Sequence, residues 1–165
     1  MKKLRVVALK SFQSEEQIAA LVEFSNEHWE YGGWDAEAFG EDDIFPFKLE
    51  LSCVLADVND KVFGVFIVSQ QKERYLESTL DEYLYIHKIL IDPSMRGFKI
   101  DGRSLFGTMW DFSVDKSVED FDLYSQLLTV DDDNLNAISI YERYGFCYMG
   151  DRSDGKILMG RGFLD

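Results

Sequence analysis

The stretch that most constrains the fold runs from Tyr83 to Trp110. It opens with the apolar run YLYIHKILID, passes through the turn PSMRGFKIDGR and ends in the helix-like segment SLFGTMW. A strand that leads into a glycine-bearing turn at a helix start directs free backbone N–H groups and the helix dipole at one point, where they bind phosphate. Arg96, Lys99 and Arg103 add positive charge there. The stretch therefore indicates a site for a polyanion such as a pyrophosphate.

Length and charge limit the remaining choices. The 165 residues predict a single domain over 1–165, and the net charge of −14 disfavours nucleic acid and anionic membranes as partners while favouring cationic ligands such as amines. No segment approaches the ~18 apolar residues of a membrane span, and the apolar run near the amino terminus is too short for a signal peptide. We expect a cytoplasmic protein without a membrane partner.

Apolar periodicity and turn chemistry predict an α/β (α+β) fold with a mixed, mostly antiparallel sheet of six to seven strands flanked by about four helices. Ser14 and Gln17 form a capping-box pattern, and the segment 58–61 has hairpin chemistry. The predicted strands are Leu4–Leu9, Leu49–Asp57, Val62–Ser69, Tyr83–Ile91, Phe121–Val130, Phe146–Asp151 and Ile157–Phe163. The predicted helices are Glu15–His28, a short one near Asp35–Phe39, Arg103–Asp115 and Asn134–Tyr144.

A second segment, TVDDDNLNAISIYERYGF, extends the pattern of the first. The strand Ile89-Leu90-Ile91-Asp92-Pro93 is followed by Arg96-Gly97, and later come Val130, Asn134, Ala137, Tyr141, Glu142, Gly145 and Phe146. With these residues the chain from about Tyr83 to Phe146 resembles the GNAT superfamily of N-acetyltransferases, which use acetyl-CoA. The turn departs from the family pattern, because Lys99 and Asp101 stand where two small residues are expected. One extra residue in the alignment puts Gly102-Arg103-Ser104-Leu105 at the helix start, with Asp101 pointing away from the phosphates.

The resemblance implies a GNAT-like sheet and acetyl-CoA as co-substrate. It implies that the backbone of Ile89 and Ile91 pairs with the pantetheine arm, and that Asn134 hydrogen-bonds the arm. The pyrophosphate would be cradled by the turn residues Arg96, Gly97, Lys99, Gly102 and Arg103. Tyr141 would protonate the leaving thiolate, since a phenol with a pKa of about 10 can donate that proton. The alternative reading of Tyr141 is that it only packs the helix on the sheet.

The acceptor amine must lose a proton before it attacks. His87 shares a strand face with Tyr85 and Tyr83, while Lys88 is predicted on the other face, and His87 is expected to titrate near neutrality. It is the first candidate base, with Glu82 and Glu50 as fallbacks. The family's strand bulge near Leu90 would supply backbone N–H groups to the acyl oxygen. Candidate substrate-binding residues are Tyr85, with Tyr31 and Trp34 beside the acidic run 41–43.

These residues predict an N-acetyltransferase that acts on a primary amine, of a small cationic molecule, by direct attack in a ternary complex. Cys53 and Cys147, expected to be reduced and buried, lie outside both motifs, which argues against an acetyl-enzyme intermediate. The run 131–134 does not fit a calcium loop, and no metal is indicated. Two alternatives stay open: a catalytically degenerate binding or sensor module, and an acetyltransferase for protein N-termini or lysines. A homodimer is compatible with the sequence.

Overall fold

The computed structural model describes residues 3–28, 39, 47–71, 82–152 and 154–162. Nine strands are seen there: β1 Leu4–Ala8, β2 Cys53–Asp57, β3 Val62–Gln71, β4 Tyr83–Ile91, β5 Lys99–Ile100, β6 Arg103–Ser104, β7 Gln126–Asp131, β8 Cys147–Asp151 and β9 Lys156–Arg161. The helices are α1 Glu15–His28, α2 Leu105–Trp110, α3 Lys116–Phe121 and α4 Leu135–Arg143.

One seven-stranded sheet organises the molecule, in the order β1-β2-β3-β4-β7-β9-β8. Every neighbouring pair is antiparallel except β4 and β7, which run parallel. The crossover between those two strands is the helical segment α2–α3, as parallel pairing requires. The predicted fold class, a mixed and mostly antiparallel sheet with flanking helices, is confirmed.

Helices cover both faces of the sheet. On one face α1 packs over a cluster that includes Leu21, Phe24, Val65 and Ile67. On the opposite face α2, α3 and α4 pack over a larger cluster that includes Met109. We call these the α1 face and the α4 face.

The helix α1 begins and ends where the sequence predicts. Ser14 Oγ accepts from the Gln17 N–H at 3.1 Å, and Gln17 Oε1 accepts from the Ser14 N–H at 3.1 Å. This reciprocal capping box satisfies two N–H groups of the first turn, which explains why the local sequence sets the helix start. The hairpin between β2 and β3 also lies where predicted, with a hydrogen bond of 3.0 Å from the Asp57 N–H to the Lys61 carbonyl.

The helical crossover is longer than predicted. A π-helical turn, Asp111–Asp115, joins α2 to α3, so helix continues to Phe121 and β7 begins only at Gln126. Trp110, Val114 and Ser117 are all buried, because the extra residue of the π turn keeps the apolar side of the segment on the sheet. Asp122 then ends the helix with a left-handed φ of 56°.

The segment between β4 and α2 forms a small hairpin. β5 and β6 pair antiparallel, with Lys99 opposite Ser104 and Ile100 opposite Arg103. The two residues between them, Asp101 and Gly102, have φ of 49° and 80°, which is the geometry of a type I′ turn. Asp-Gly is the dipeptide that this turn favours, and the prediction missed it because each strand has only two residues.

No helix in the described ranges is long and apolar enough to cross a membrane. Among the same residues, no group of three or more His, Cys, Asp or Glu side chains is placed to hold a metal ion.

Candidate active site

The central parallel strands separate and leave a cleft. Leu84, Tyr85 and Ile86 of β4 lie opposite Gln126, Leu127 and Leu128 of β7, and the pairing ends there. Beyond that point lies a cleft of about 330 Å³. Its walls are formed by Ile86, His87, Lys88, Ile89, Leu90, Leu128, Thr129, Val130, Asp131, Asn134, Ala137, Tyr141 and Lys156.

A β-bulge at His87 shapes the edge of this cleft. Lys88 lies opposite Ile67 and Ile86 opposite Val68, so His87 is the extra residue of β4. The bulge was expected near Leu90, and that expectation is wrong by three positions. Because an extra residue reverses the alternation that follows it, Lys88 shares the α1 face with Ile67, contrary to prediction.

The backbone of β4 beyond the bulge is open toward the cleft. The Asp92 N–H donates to the Phe63 carbonyl of β3 at 2.8 Å. Since backbone groups of a strand point to alternate sides, those of Ile91 and Ile89 point away from β3. Strand β7 pairs with β4 no further than Ile86, so this edge is available to an extended ligand.

Tyr141 reaches the cleft from α4, which packs on the α4 face. In the described part of the chain, no buried side-chain nitrogen or oxygen lacks a hydrogen-bond partner. The Tyr141 hydroxyl makes no hydrogen bond there, so it is accessible, and Tyr141 lines the cleft. Burial raises the pKa of the phenol. The helix end is held by Arg161, whose Nη1 donates to the Tyr144 carbonyl at 2.8 Å.

Asn134 begins α4 and also lines the cleft. Its Oδ1 accepts from the Ala137 N–H at 3.2 Å, which caps the helix. The amide nitrogen of the same side chain remains a donor, so one residue both caps the helix and can contact a ligand.

The segment predicted to bind the pyrophosphate contains the β5–β6 hairpin. Arg96, Gly97 and Lys99 are exposed, and Gly97 has a φ of 89°. Arg103 pairs with Asp111 along the side of α2, with Nη2 and Oδ1 2.9 Å apart. Asp101 lies at the exposed hairpin turn. Arg96 and Lys99 are therefore exposed to solvent, whereas Arg103 is held in an ion pair with Asp111.

His87 lies against the α1 face beside Ser69. Its Nε2 is 2.7 Å from Ser69 Oγ, and its ring contacts those of Tyr85 and Phe47 at 4.8 Å and 5.2 Å between centroids. Burial lowers the pKa of His87 to about 4. The expectation that His87 titrates near neutrality is wrong, because the sequence could not show that the ring is partly buried against Ser69, Tyr85 and Phe47.

The two fallback bases lie away from the cleft. Glu82 precedes β4, and its carboxylate accepts a hydrogen bond from the Gln70 amide. At ~3.3 Å per strand residue, Glu82 lies roughly 16 Å from His87 along the strand. Glu50 pairs with Lys10 at 3.4 Å and with Lys48 at 3.9 Å. A backbone hydrogen bond lowers the pKa of the Glu50 carboxyl, and the charges of Lys48 and Lys10 lower it further.

Sequence reasoning did not identify the polar wall on the α1 face. The Tyr85 hydroxyl lies 3.3 Å from Thr129 Oγ1. Asp131 lies opposite Lys156 across β7 and β9, and both line the cleft with Lys88. Pairing between strands that are distant in sequence brings these residues together, so no local sequence motif predicts the wall.

The cysteines lie apart from the cleft. Cys53 is buried beside Ser113, and burial raises the pKa of its thiol to about 12. Cys147 is exposed on the edge strand β8, so the expectation that both are buried is wrong for this one. Tyr31, Trp34 and the acidic run 41–43 lie outside the described residues.

A sheet whose central parallel strands diverge beside a bulge, with a tyrosine from the following helix in the gap, is the architecture of acyl-CoA-dependent N-acyltransferases. The model of the acetyltransferase (GNAT) family matches residues 18–146, and the chain belongs to that family. No curated protein sequence matches it significantly.

Solved structures share this fold at low sequence identity. A chain of the NatC complex bound to Gag peptide and CoA has a TM-score of 0.68 and 14% identity, over 96% of this chain and 97% of that chain. Arabidopsis thaliana Naa50 in complex with the bisubstrate analogue CoA-Ac-MVNAL gives 0.66 and 13%, over 97% and 99%. A GNAT-family acetyltransferase from Streptococcus pneumoniae gives 0.67 and 16%, over 96% and 99%.

Proposed function

We propose that this protein transfers the acetyl group of acetyl-CoA to a primary amine by direct attack, with both substrates bound together. The observation that carries the proposal is that Tyr141 lines the same cleft as Ile89, on the part of β4 that does not pair with β7. Family membership supports the reaction class.

The residues of the cleft fit an extended thioester ligand. The free N–H and C=O groups of Ile89 and Ile91 suit the amides of a pantetheine arm, as an added strand would. The Asn134 amide nitrogen is a further donor. The pyrophosphate would lie at the turn residues Arg96, Gly97, Lys99, Gly102 and Arg103. Acetyl-CoA supplies the activated acetyl thioester, and the protein supplies position and protons.

Tyr141 holds the proton that the departing thiolate needs. Because burial raises its pKa, the hydroxyl stays protonated across the physiological range. A positioned general acid contributes roughly 10²–10⁴-fold to a rate. No cysteine lines the cleft within the described residues, and the buried Cys53 thiol is not ionised, which supports direct attack.

The amine reacts as its neutral form. Moving a proton from an alkylammonium with a pKa of about 10.4 to His87, with a pKa of about 4, is unfavourable by roughly 9 kcal/mol. We therefore propose that the amine loses its proton to solvent, and that His87 contacts the reacting groups without taking that proton.

The acceptor is proposed to be a small molecule. The net charge of −14 attracts cationic amines over long distances. Lys156 lines the described α1-face wall and makes no ion pair within 4.0 Å among the described residues, which favours an acceptor with an anionic group near the amine. A test panel needs both diamines and amino acids.

Two other functions have specific support. A peptide N-terminus is also a primary amine, and two structures of this fold hold a peptide or a peptide-containing analogue with CoA. The Asp101–Gly102 hairpin favours a non-catalytic module instead, because it replaces the small-residue turn of the resemblance.

The test combines calorimetric titration with acetyl-CoA and a free-thiol assay against diamines, amino acids and short peptides. Binding with amine-dependent thiol release supports the proposal, and the most active panel class names the acceptor. Binding without release from any amine would favour the non-catalytic module, as would the lack of binding at millimolar acetyl-CoA.

A further inference from the structure

A chain of hydrogen bonds leads from β4 through β3 to His87. The Tyr83 hydroxyl donates to Gln71 Oε1 at 3.0 Å, and Gln71 Nε2 donates to Ser69 Oγ at 2.9 Å. Ser69 Oγ then lies 2.7 Å from His87 Nε2. Gln71 pairs with Tyr83 and Ser69 with Tyr85 in the β3–β4 register, so the chain follows one face of two strands.

The direction of these bonds decides which ring nitrogen of His87 carries the proton. An amide has a donor at one end and an acceptor at the other, so Gln71 fixes the polarity of its two neighbours. With Tyr83 donating to Gln71 and Gln71 donating to Ser69, the one remaining side-chain partner of Ser69 Oγ among the described residues is His87 Nε2, to which the Ser69 hydrogen is free to point. A neutral imidazole that accepts at Nε2 has its hydrogen on Nδ1.

Nδ1 of His87 is accessible in a residue that lines the cleft. His87 lines the cleft, and its one hydrogen bond in the described ranges is made by Nε2. Since no buried side-chain nitrogen or oxygen there lacks a partner, Nδ1 is accessible. A ligand in the cleft could therefore meet whatever Nδ1 carries, a hydrogen or a lone pair.

We propose that Ser69, Gln71 and Tyr83 are positioning residues that keep the His87 hydrogen on Nδ1, so the ring gives the cleft an N–H donor. The inference rests on the proposed function in one respect: this N–H serves the acyl oxygen on which negative charge develops as the amine attacks. With the opposite polarity, Nδ1 would offer a lone pair and His87 could act as a base.

The tautomer can be measured without any activity. The full chain is labelled with ¹⁵N-histidine, and long-range ¹H–¹⁵N correlation spectra are recorded without acetyl-CoA at pH 7.5. The chain has two histidines, so His28→Gln assigns the His87 ring. We expect the hydrogen on Nδ1; a hydrogen on Nε2 in the wild-type protein would overturn the proposal.

The variant Gln71→Glu tests whether the direction of the hydrogen bonds sets the His87 tautomer. A carboxylate accepts from both neighbours, so the Ser69 hydrogen turns to residue 71 and Ser69 must accept from His87 Nε2. We expect the tautomer to invert in Gln71→Glu and to stay unchanged in the matched control Gln70→Glu, whose side chain bonds Glu82 instead. An unchanged tautomer in folded Gln71→Glu would contradict the proposal.

Ser69→Ala provides the second variant, should Gln71→Glu not fold. It removes the partner of Nε2, and we expect a mixture of both tautomers. A single Nδ1–H tautomer in Ser69→Ala would show that the chain does not set it.

Kinetics separate the donor role from the positioning role. For Gln71→Glu we expect kcat to fall about 10²–10³-fold, as when an oxyanion donor is removed, with KM for acetyl-CoA changed less than about twofold. Tautomer inversion with an unchanged kcat would overturn the donor role. If the wild-type protein releases no thiol with any amine, the proposed function fails, and the tautomer spectra still decide whether the chain positions His87.

Discussion

Ile86 of β4 and Leu128 of β7 form the last pair before the two strands separate, and the cleft opens directly beyond them. Ala137 of α4 is the small residue on its α4-face wall. Ala137→Leu adds methyl groups to this space, at a cost of about 1–3 kcal/mol for an overpacked site. We expect the Kd for acetyl-CoA to rise roughly 5–150-fold in calorimetric titration. Ser139→Leu, at an exposed position of the same helix, is the control that should leave the Kd unchanged.

Tyr141→Phe removes only the accessible hydroxyl of this cleft-lining residue. We expect kcat to fall about 10²–10⁴-fold because the thiolate loses its proton donor, with KM for acetyl-CoA nearly unchanged. Tyr144→Phe, near the same helix end but packed against Trp110, should keep wild-type kcat. Equal activity of the two variants in the thiol assay would assign Tyr141 to packing alone.

Neither of the two candidate catalytic side chains in the described cleft, His87 and Tyr141, has a pKa near 7. Burial lowers the pKa of His87 to about 4 and raises that of Tyr141 above its usual value of 10.0. The kcat/KM for the acceptor should therefore rise about tenfold per pH unit from pH 6 to 9, following the neutral fraction of an amine with a pKa of about 10.4. An inflection near pH 6.5 would instead point to a histidine base. The pH profile of initial thiol release distinguishes the two.

Burial of His87 also links stability to pH. Its pKa falls from 6.5 to about 4 on folding, so the unfolded chain binds more protons between these values. The contribution of His87 to the free energy of unfolding is therefore fully present at pH 7.5. It declines as the pH falls, and about 2 kcal/mol of it is lost at pH 5. Urea unfolding of the wild type and His87→Gln at both pH values isolates this contribution. The difference in unfolding free energy between the two proteins should shrink by about that amount at pH 5, and an unchanged difference would mean that the ring is not desolvated.

Local patterns predicted the elements that local interactions build. The helix α1 begins at a reciprocal Ser14–Gln17 cap, and β4 spans Tyr83–Ile91, as the apolar run indicated. The resemblance places Tyr141 and Asn134 at fixed spacings along α4, and both line the cleft, while their roles stay predictions.

Features that depend on an extra residue or on distant strands were not predictable. The bulge at His87 and the π turn at Asp111–Asp115 each insert one extra residue. The apolar periodicity of the sequence does not predict where such an insertion falls. The β3 residue Ser69 and the β9 residue Lys156 join the site through sheet register alone. The burial that moves the pKa of His87 is likewise a property of the assembled sheet.

Lys156 tests whether the local wall or the net charge selects the acceptor. It lines the cleft and makes no ion pair within 4.0 Å among the described residues. In Lys156→Glu we expect KM for a diamine to fall, and KM for an amino acid to rise, each about tenfold, since a charge at this range is worth about 1–2 kcal/mol. Lys116→Glu on α3 makes the same change in net charge away from the cleft. If both variants shift KM equally in the thiol assay, the long-range field selects the acceptor and the wall does not.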